Sequence, residues 1–384
     1  MAKKALLTID GVHKKVKKGL LTIDGTHKKV KKAFMTIGGV ARPCWSGGEL
    51  AYYGTVTPLS AVRADLAATS VGEYALFGGG FNGSSYLGTM DAYDKSLTRT
   101  SPTAWSRKRS NLGAATIGDY ALFGGGKDDG TIDAAGYDSC SEVDAYDKSL
   151  TRTVATSLTQ RVKQLAATTV SDYALFGGGL IGENAYGAMN AYDKSLTKTQ
   201  PTALFTARYD LAATSVGEYA LFHSGRSSGY TRNFDYYNKS LTRSNLTLTS
   251  GSARSEHAAT TVGDYALFAG GMGSTDGRTD AFDTSVTMSN PTALSHRKRK
   301  LTAITIGDYA LFVGGFYSEY INGATTDVYY KTVDVYDKSL TRTTFVELSQ
   351  ERGNLAAATV GDYALIAGGY NGSNYLSAVD AYMV

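Results

Sequence analysis

An apolar run that ends in glycines recurs seven times along the chain. In its first copy it reads YALFGGG (residues 74–80), and each copy opens with a tyrosine. These tyrosines are Tyr74, Tyr120, Tyr173, Tyr219, Tyr265, Tyr309 and Tyr363. The spacing of about 45 residues indicates a repeat architecture in which each copy is one supersecondary unit.

Each copy contains four predicted strands, which we call A to D. In the first copy they are LAATSV (66–71), YALFGGG (74–80), TMDAYDKS (89–96) and a fourth near TRTSPTAW (98–105). Strand A is small and rich in threonine and alanine, which suits an innermost strand. Strand B is apolar on both faces, which suits burial between sheets, and a Gly-Glu or Gly-Asp pair between A and B is a hairpin signal. The pattern predicts an all-β, seven-bladed propeller of four-stranded blades.

The two ends of the repeat region predict how the ring of blades closes. The chain ends in VDAYMV (379–384), a strand C with no strand D after it. The segment AYYGTVTPLS (51–60) is typical of a strand D that has no blade. We expect the N-terminal strand to complete the C-terminal blade, because this removes open sheet edges.

Composition fits a large folded domain with a distinct basic arm. The chain has 384 residues, of which 42% are hydrophobic, 44 are glycine and 27 are tyrosine, which excludes a disordered protein. Residues 1–48 carry ten lysines and Arg42 against Asp10 and Asp24, although the whole chain has a net charge of only +4. The sequence shows no signal peptide and no membrane span, so we expect synthesis in a reducing cytoplasm.

The basic arm (1–48) is a second repeat, separate from the predicted propeller (49–384). Its three copies of 14 residues (5–18, 19–32 and 33–46) each place a short apolar run, a glycine-containing turn and a strand-like run in order. This predicts three small hairpins, which need a partner or self-association to be stable. The periodic, half-apolar pattern favours lysines on hairpins that dock onto another protein over binding to nucleic acid.

Two family resemblances follow from these motifs. YALFGGG, DAYDKS and an arginine before strand A resemble the kelch-repeat propellers over residues 51–384, although the tryptophan usual in that family after the Tyr-Asp element is mostly missing. The 14-residue repeats and the following segment 38–60 resemble the N-terminal arms of tail proteins from phages and prophages of Gram-positive bacteria. This second resemblance implies a virion tail protein that is anchored through residues 1–48 to other tail proteins.

The loops predict one variable face. The A–B and C–D turns are nearly identical among copies, whereas the B–C loops vary in length and are rich in Tyr, Ser, Gly and Asn, a mixture typical of binding surfaces. Candidate ligand-binding tyrosines are Tyr86, Tyr137, Tyr186, Tyr230, Tyr317, Tyr320 and Tyr375. The alternative is that these tyrosines pack the loops against the propeller.

A cation precedes strand A in six copies, eleven residues before the strand B tyrosine. These residues are Arg63, Arg109, Arg208, Arg254, Lys298 and Arg352, and Val162 takes the position in the third copy. Repetition predicts a ring of cations around the axis. The ring either binds an anionic ligand, such as a phosphate-bearing polymer or acidic sugar, or bonds carbonyl groups of the adjacent blade, which we favour.

The sequence shows no catalytic, metal or cofactor motif. His223 interrupts a glycine run and is a further candidate ligand contact, whereas His257 replaces a strand A leucine and is expected inside. The acidic segments KDDGTID (127–133) and STDGRTD (274–280) lack calcium-loop spacing and predict solvated charge.

These observations predict a non-enzymatic phage or prophage tail adhesin, located in the virion tail, whose propeller binds a host surface polysaccharide or protein. A homo-oligomer formed through the arm is compatible with this prediction. The alternatives are a structural, decorating virion protein and a carbohydrate-active enzyme, which paired carboxylates in the axial funnel would favour.

Overall fold

The structure is a computed structural model of the whole chain. It describes residues 48–384 except 106, 129–137, 249–252, 274–276 and 322–323, and it describes six short strands within residues 1–47. Within this described part, no helix is long and apolar enough to cross a membrane.

Seven four-stranded antiparallel sheets form the blades of a propeller, as predicted. Strand A, the innermost, spans Ala67–Val71, Gly113–Ile117, Ala166–Val170, Ala212–Val216, Ala258–Val262, Thr302–Ile306 and Ala356–Val360 in blades 1 to 7. Strand B spans Tyr74–Gly78, Tyr120–Gly124, Tyr173–Gly177, Tyr219–His223, Tyr265–Ala269, Tyr309–Val313 and Tyr363–Ala367. Strand C spans Met90–Tyr93, Val143–Asp147, Met189–Tyr192, Asn233–Asn238, Thr279–Asp283, Val333–Asp337 and Val379–Met383. Strand D spans Arg99–Thr100, Arg152–Ala155, Lys198–Thr199, Arg243–Thr247, Met288–Ser289, Arg342–Phe345 and, in blade 7, Ala51–Thr55.

The predicted closure is confirmed. The N-terminal strand Ala51–Thr55 pairs with the last strand, Val379–Met383, in antiparallel register with one irregularity between Ala381 and Tyr382. Blade 7 therefore contains strands from both ends of the propeller, which leaves no unpaired blade at the seam.

The core lies between the blades. Strand B of blade 1 buries Ala75, Leu76 and Phe77 completely, so both of its faces are covered, as predicted. The buried Tyr93 of strand C meets Phe77 edge to face at 5.8 Å, and its hydroxyl donates to the Thr57 carbonyl at 2.8 Å. Five other blades repeat this hydroxyl contact to the chain before strand A, whereas blade 5 has Phe282 instead.

Strand D is shorter than predicted in blades 1, 3 and 5, where it has two residues. Pro102, Pro201 and Pro291 follow the strand in those blades, whereas the four- and five-residue strands of blades 2, 4 and 6 have no proline there. Proline lacks the N–H needed to extend the ladder, so it ends the outer strand early.

The three predicted hairpins of the arm are present as two-stranded antiparallel sheets. Their strands are Ala5–Ile9 with Val12–Val16, Leu20–Ile23 with Thr26–Lys29, and Ala33–Ile37 with Val40–Trp45. Three further strand pairs lie outside the blades: Arg109–Ser110 with Lys127–Asp128, Leu180–Ile181 with Asn184–Ala185, and Phe316–Ile321 with Ala324–Tyr329.

Candidate functional site

The B–C loops and the D–A connections meet on one face, which we call the variable face. Phe81, the first residue of the blade 1 B–C loop, exchanges two backbone hydrogen bonds of 2.9 Å with Ala64 of the D–A connection. A bridge at the equivalent place recurs in each of the other six blades. The opposite face, which we call the constant face, carries the A–B and C–D turns, where Lys148 pairs with Asp119.

Seven residues, one from each blade, form a closed ring around the axis at the variable face, which we call the axial ring. They are Asp65, Asn111, Gln164, Asp210, Glu256, Lys300 and Asn354. Each backbone N–H donates to the carbonyl of the preceding member at 2.9 to 3.0 Å, and Asp65 donates to Asn354, which closes the ring. All seven have φ between 50° and 57°, a left-handed conformation that is uncommon outside glycine. The ring fixes the backbone from which seven polar side chains extend.

The axial ring forms the rim of a cavity of about 200 Å³. The next residue in each blade forms the cavity floor, which consists of His257 and six leucines: Leu66, Leu112, Leu165, Leu211, Leu301 and Leu355. A second cavity of about 290 Å³, lined by strand A residues, shares five of these leucines. The first cavity is smaller than a typical pocket that encloses a whole ligand, so it suits one end of a larger molecule.

Two carboxylates of the axial ring share one lysine. The Lys300 ammonium lies 3.9 Å from an Asp210 oxygen and 3.6 Å from a Glu256 oxygen. Gln164 donates to Asp210 at 2.9 Å, and Arg299 donates to Glu256 at 2.8 Å. Burial raises the pKa of Asp210 above its usual range, although the nearby Lys300 opposes that shift. This is the paired-carboxylate arrangement that the sequence analysis associates with an enzyme.

The six predicted ring cations are completely buried, and each forms an ion pair within its own blade. The pairs are Arg63–Asp91, Arg109–Asp144, Arg208–Asp235, Arg254–Asp280, Lys298–Asp334 and Arg352–Asp380. The five arginines also donate to a strand B carbonyl, as Arg208 does to Phe222 at 3.0 Å. That carbonyl belongs to the same blade, which corrects the expected contact with an adjacent blade. A buried cation with a balanced charge offers little to an anionic ligand, so these residues stabilise the blades instead.

Blade 3 supports this structural role. It has Val162 in place of the cation and Asn190 in place of the strand C aspartate. Asn190 still accepts hydrogen bonds from the backbone and hydroxyl of Thr159, at 3.0 and 2.7 Å. Both charges are missing from the same blade, as a buried pair requires, because either charge alone would be uncompensated.

His223 is also buried, which corrects its prediction as a ligand contact. Its Nδ1 lies 3.1 Å from His257 Nε2, and its Nε2 lies 3.2 Å from Asp280. Its ring stacks on Phe268 at 4.5 Å. Burial lowers the pKa of His223 to about 4 and also lowers that of His257. The two histidines that depart from the repeat therefore pack on each other, and His257 lies inside as predicted.

The acidic segments are not uniformly solvated, contrary to their prediction. Asp128 and Asp280 are buried and pair with Arg107 and Arg254. Residues 129–133 and 274–276 of these segments lie outside the described residues. Among the residues that the structure describes, no group of His, Cys, Asp or Glu is arranged to bind a metal ion.

The predicted tyrosines differ in exposure. Tyr320 is 78% exposed, and Tyr230 is 38% exposed beneath Arg226, whose guanidinium lies 5.3 Å from the ring. The half-buried members are Tyr86, Tyr186, Tyr317 and Tyr375, and Tyr137 lies outside the described residues. Tyr186 packs against the core between blades 2 and 3, as the packing alternative expects.

Six aromatic residues of blades 6, 7 and 1 form a continuous chain on the variable face, which we call the aromatic arc. In order they are Phe316, Tyr329, Tyr370, Tyr375, Phe81 and Tyr86. Successive ring centroids lie 4.8 to 5.9 Å apart. The arc brings Tyr86 and Tyr375 together, whereas Tyr186 and Tyr230 lie in other blades.

The B–C loop of blade 6 is a long hairpin. Phe316–Ile321 pairs with Ala324–Tyr329 over six residue pairs. Arg297 covers the Tyr317 ring at 4.1 Å, and Arg299 covers Phe316 at 4.6 Å, so two cation–π contacts hold its base.

The axial ring is the feature that the sequence analysis missed. Each member stands two residues after the ring-cation position and directly before a residue that is leucine in six of the seven blades. The two residues after the cation read AD, SN, KQ, YD, SE, RK and GN in blades 1 to 7. Comparing single positions among the copies, rather than loop lengths, would have identified them.

The comparisons with known proteins support the fold. No protein-family model matches the chain, and no curated protein sequence matches it. Among solved structures, the chain is similar to one titled "Structure of YjhT", with a TM-score of 0.55 and 12% identity over 85% of this chain and 95% of that chain. At this identity the likeness shows the propeller fold alone.

Proposed function

We propose that this protein is a non-enzymatic tail adhesin of a phage or prophage. In this proposal its kelch-like propeller binds a host cell-surface glycan through the variable face, and residues 1–48 dock onto other tail proteins. The observation that carries the proposal is the confinement of variation to one face. There the closed axial ring and the loop bridges hold a fixed backbone beneath side chains that change from blade to blade.

The aromatic side chains of this face favour a glycan. Tyrosine on a rigid loop supplies contact area at low entropic cost, and its hydroxyl adds hydrogen bonding. The axial ring adds carboxylate, amide and ammonium groups that match the hydroxyls of a sugar. A cavity that takes one end of a molecule fits the terminus of a surface polysaccharide.

The test is binding of the labelled full chain to intact cells from a panel of Gram-positive bacteria. A variant shortens the blade 6 hairpin by joining Tyr317 to Val328, which are paired, through an Asn-Gly turn. A matched control is Asp119→Asn, which changes an exposed acid on the constant face.

Strain-selective binding that the hairpin variant loses and the control keeps would support the proposal. Absence of binding to every strain by folded protein would contradict it and favour a decorating virion protein. Binding that both variants keep would place the contact outside this hairpin.

One observation favours a second function, a carbohydrate-active enzyme. Asp210 and Glu256 lie beside Lys300 in the axial ring, and burial raises the pKa of Asp210, as in a general acid. Incubation of the chain with wall polysaccharide, followed by chromatography of released sugars, tests it. Release that Asp210→Asn abolishes would establish the enzyme and replace the adhesin as the main function.

A further inference from the structure

Asp65 differs from the other carboxylates of the axial ring. Asp210 and Glu256 share Lys300, whereas Asp65 forms no ion pair among the residues that the structure describes. Its one side-chain partner is Asn354, whose amide donates to Oδ1 at 2.7 Å. Asp65 is partly exposed, so its carboxylate has capacity for further donors at the cavity rim.

The aromatic arc lies directly beside Asp65. Phe81 is bridged to Ala64, the residue before Asp65, and the Tyr375 ring lies 5.6 Å from the Phe81 ring. Burial, Tyr370 and the negative charge of Asp65 together raise the pKa of Tyr375. Against the effect of burial, the charges of Asp210, Asp65 and Glu256 raise the pKa of Lys300, so Asp65 also acts on this lysine although no ion pair joins them. A partly exposed carboxylate that forms no ion pair of its own therefore adjoins a chain of aromatic faces.

The arc is held rigidly by contacts between blades. A β-carbon at Gly83 of blade 1 would lie 2.8 Å from the Tyr375 ring of blade 7, so this close approach requires glycine. Asn82 Oδ1 accepts backbone hydrogen bonds from Ser84 and Ser85 at 3.0 and 2.8 Å, which fixes the loop. The rings need little reordering when a ligand binds.

We propose that Asp65 and the adjoining arc bind the ammonium group of an amino sugar at the end of a host glycan. This inference rests on the proposed adhesin function and names its ligand class. An ammonium ion is attracted both to the face of an aromatic ring and to a carboxylate. The axial ring carries three carboxylates against Lys300, and Arg299 pairs with Glu256, so the rim keeps one negative charge and favours a cationic over an anionic terminal sugar.

The experiment compares two chito-oligosaccharides of one length, one fully deacetylated and one fully N-acetylated, by calorimetry with the full chain. The deacetylated oligosaccharide should bind about tenfold more tightly, because its charged amines make charge-assisted hydrogen bonds. Asp65→Asn should remove this preference. Asparagine at the equivalent ring positions, Asn111 and Asn354, has φ of 51° and 57°, so the variant should fold.

Asp119→Asn, on the constant face, serves as the matched control and should keep the preference, and thermal unfolding checks that all three proteins fold. Equal affinity for the two oligosaccharides, or a preference that Asp65→Asn retains, would overturn the inference. An equal loss for both oligosaccharides in Asp65→Asn would also overturn it, since Asp65 would then bind hydroxyl groups. Cell binding without any amine preference would leave the adhesin standing, whereas failure of cell binding would remove the adhesin itself.

Discussion

The constant and variable faces are built by the same repeat, yet they use it differently. On the constant face the turns repeat because neighbouring blades pack there: a β-carbon at Gly118 would lie 3.0 Å from the Lys194 side chain of the next blade. On the variable face the backbone is equally regular, but the side chains of the axial ring change in almost every copy.

A charged residue in this repeat has one of two roles, either in a buried ion pair or on the variable face. The position of Arg208 holds a cation in six blades because that charge is buried against an aspartate, which is Asp235 in the blade of Arg208. Asp65 and Lys300 occupy one equivalent position with opposite charges, which the shared backbone does not require. Constancy among copies therefore indicates packing, and variation of side chains on a constant backbone indicates a candidate binding surface.

The largest expected effect comes from breaking one buried pair. Arg208→Val should lower the free energy of unfolding by about 3 to 5 kcal/mol, because it leaves the buried Asp235 with only the more distant Arg243, 3.8 Å away, as a charged partner. Adding Asp235→Asn reproduces the natural solution of blade 3, Val162 with Asn190, and should recover much of that loss. Denaturant unfolding of the single and double variants measures both values. A double variant no more stable than the single would contradict the structural role of the pair.

The buried histidines should make stability depend on pH. Burial lowers the pKa of His223 from 6.5 to about 4, with His257, Asp280, Arg254 and Arg208 as its charged or titratable neighbours. The unfolded state therefore binds more protons between these values, so the stability contribution is complete above pH 6.5 and falls as pH drops toward 4. The free energy of unfolding should fall by about 3 kcal/mol over this range.

Denaturant unfolding across this pH range checks the effect in the native chain and in the double variant His223→Ala, His257→Leu. Alanine and leucine occupy the equivalent positions in other blades, for example Ala269 and Leu301. The variant should show a flatter pH dependence. An unchanged slope would mean that the two histidines do not cause it.

Two glycines, one on each face, should differ in their contribution to stability. Gly118 has φ of 54° and faces Lys194, whereas Gly229 lies in a B–C loop with nothing within 4 Å of an added β-carbon. Gly118→Ala should destabilise the protein by about 1 kcal/mol, and Gly229→Ala should change stability by less than about 0.5 kcal/mol. Thermal unfolding distinguishes them, and equal effects would contradict the proposed difference between the faces.

The smallest expected effect on stability is at Tyr320. Its ring is 78% exposed, so Tyr320→Ser should change the free energy of unfolding by less than about 0.5 kcal/mol. The same variant should weaken binding to cells that the native chain recognises. Weakened binding together with a large loss of stability would show that Tyr320 acts through the fold instead.

Most of the fold could be predicted from the sequence, because the repeated order of strands and turns determines a propeller and its closure. The sequence also contains signals for two local features that the prediction of the blades did not include. Prolines 102, 201 and 291 indicate short outer strands, and Asn-Gly between the alternating segments of residues 316–329 is a hairpin signal. These signals are local and were available without a structure.

The candidate site was less predictable, because it depends on which side chains meet. Nothing local shows that Arg63 pairs with Asp91, or that His223 contacts His257 across two blades. The aromatic arc needs the seam between blades 7 and 1 to bring Tyr375 to Phe81. Such contacts follow from the radial arrangement of the blades and not from the spacing within one copy.

The most direct test of binding through the variable face is hydroxyl-radical footprinting of the full chain with and without cells from a strain that it binds. Binding through the variable face should protect Tyr320, Tyr230 and Tyr375, with unchanged reactivity at Lys148 and Lys194 on the constant face. Protection of these lysines with unchanged tyrosines would contradict the assignment of binding to the variable face.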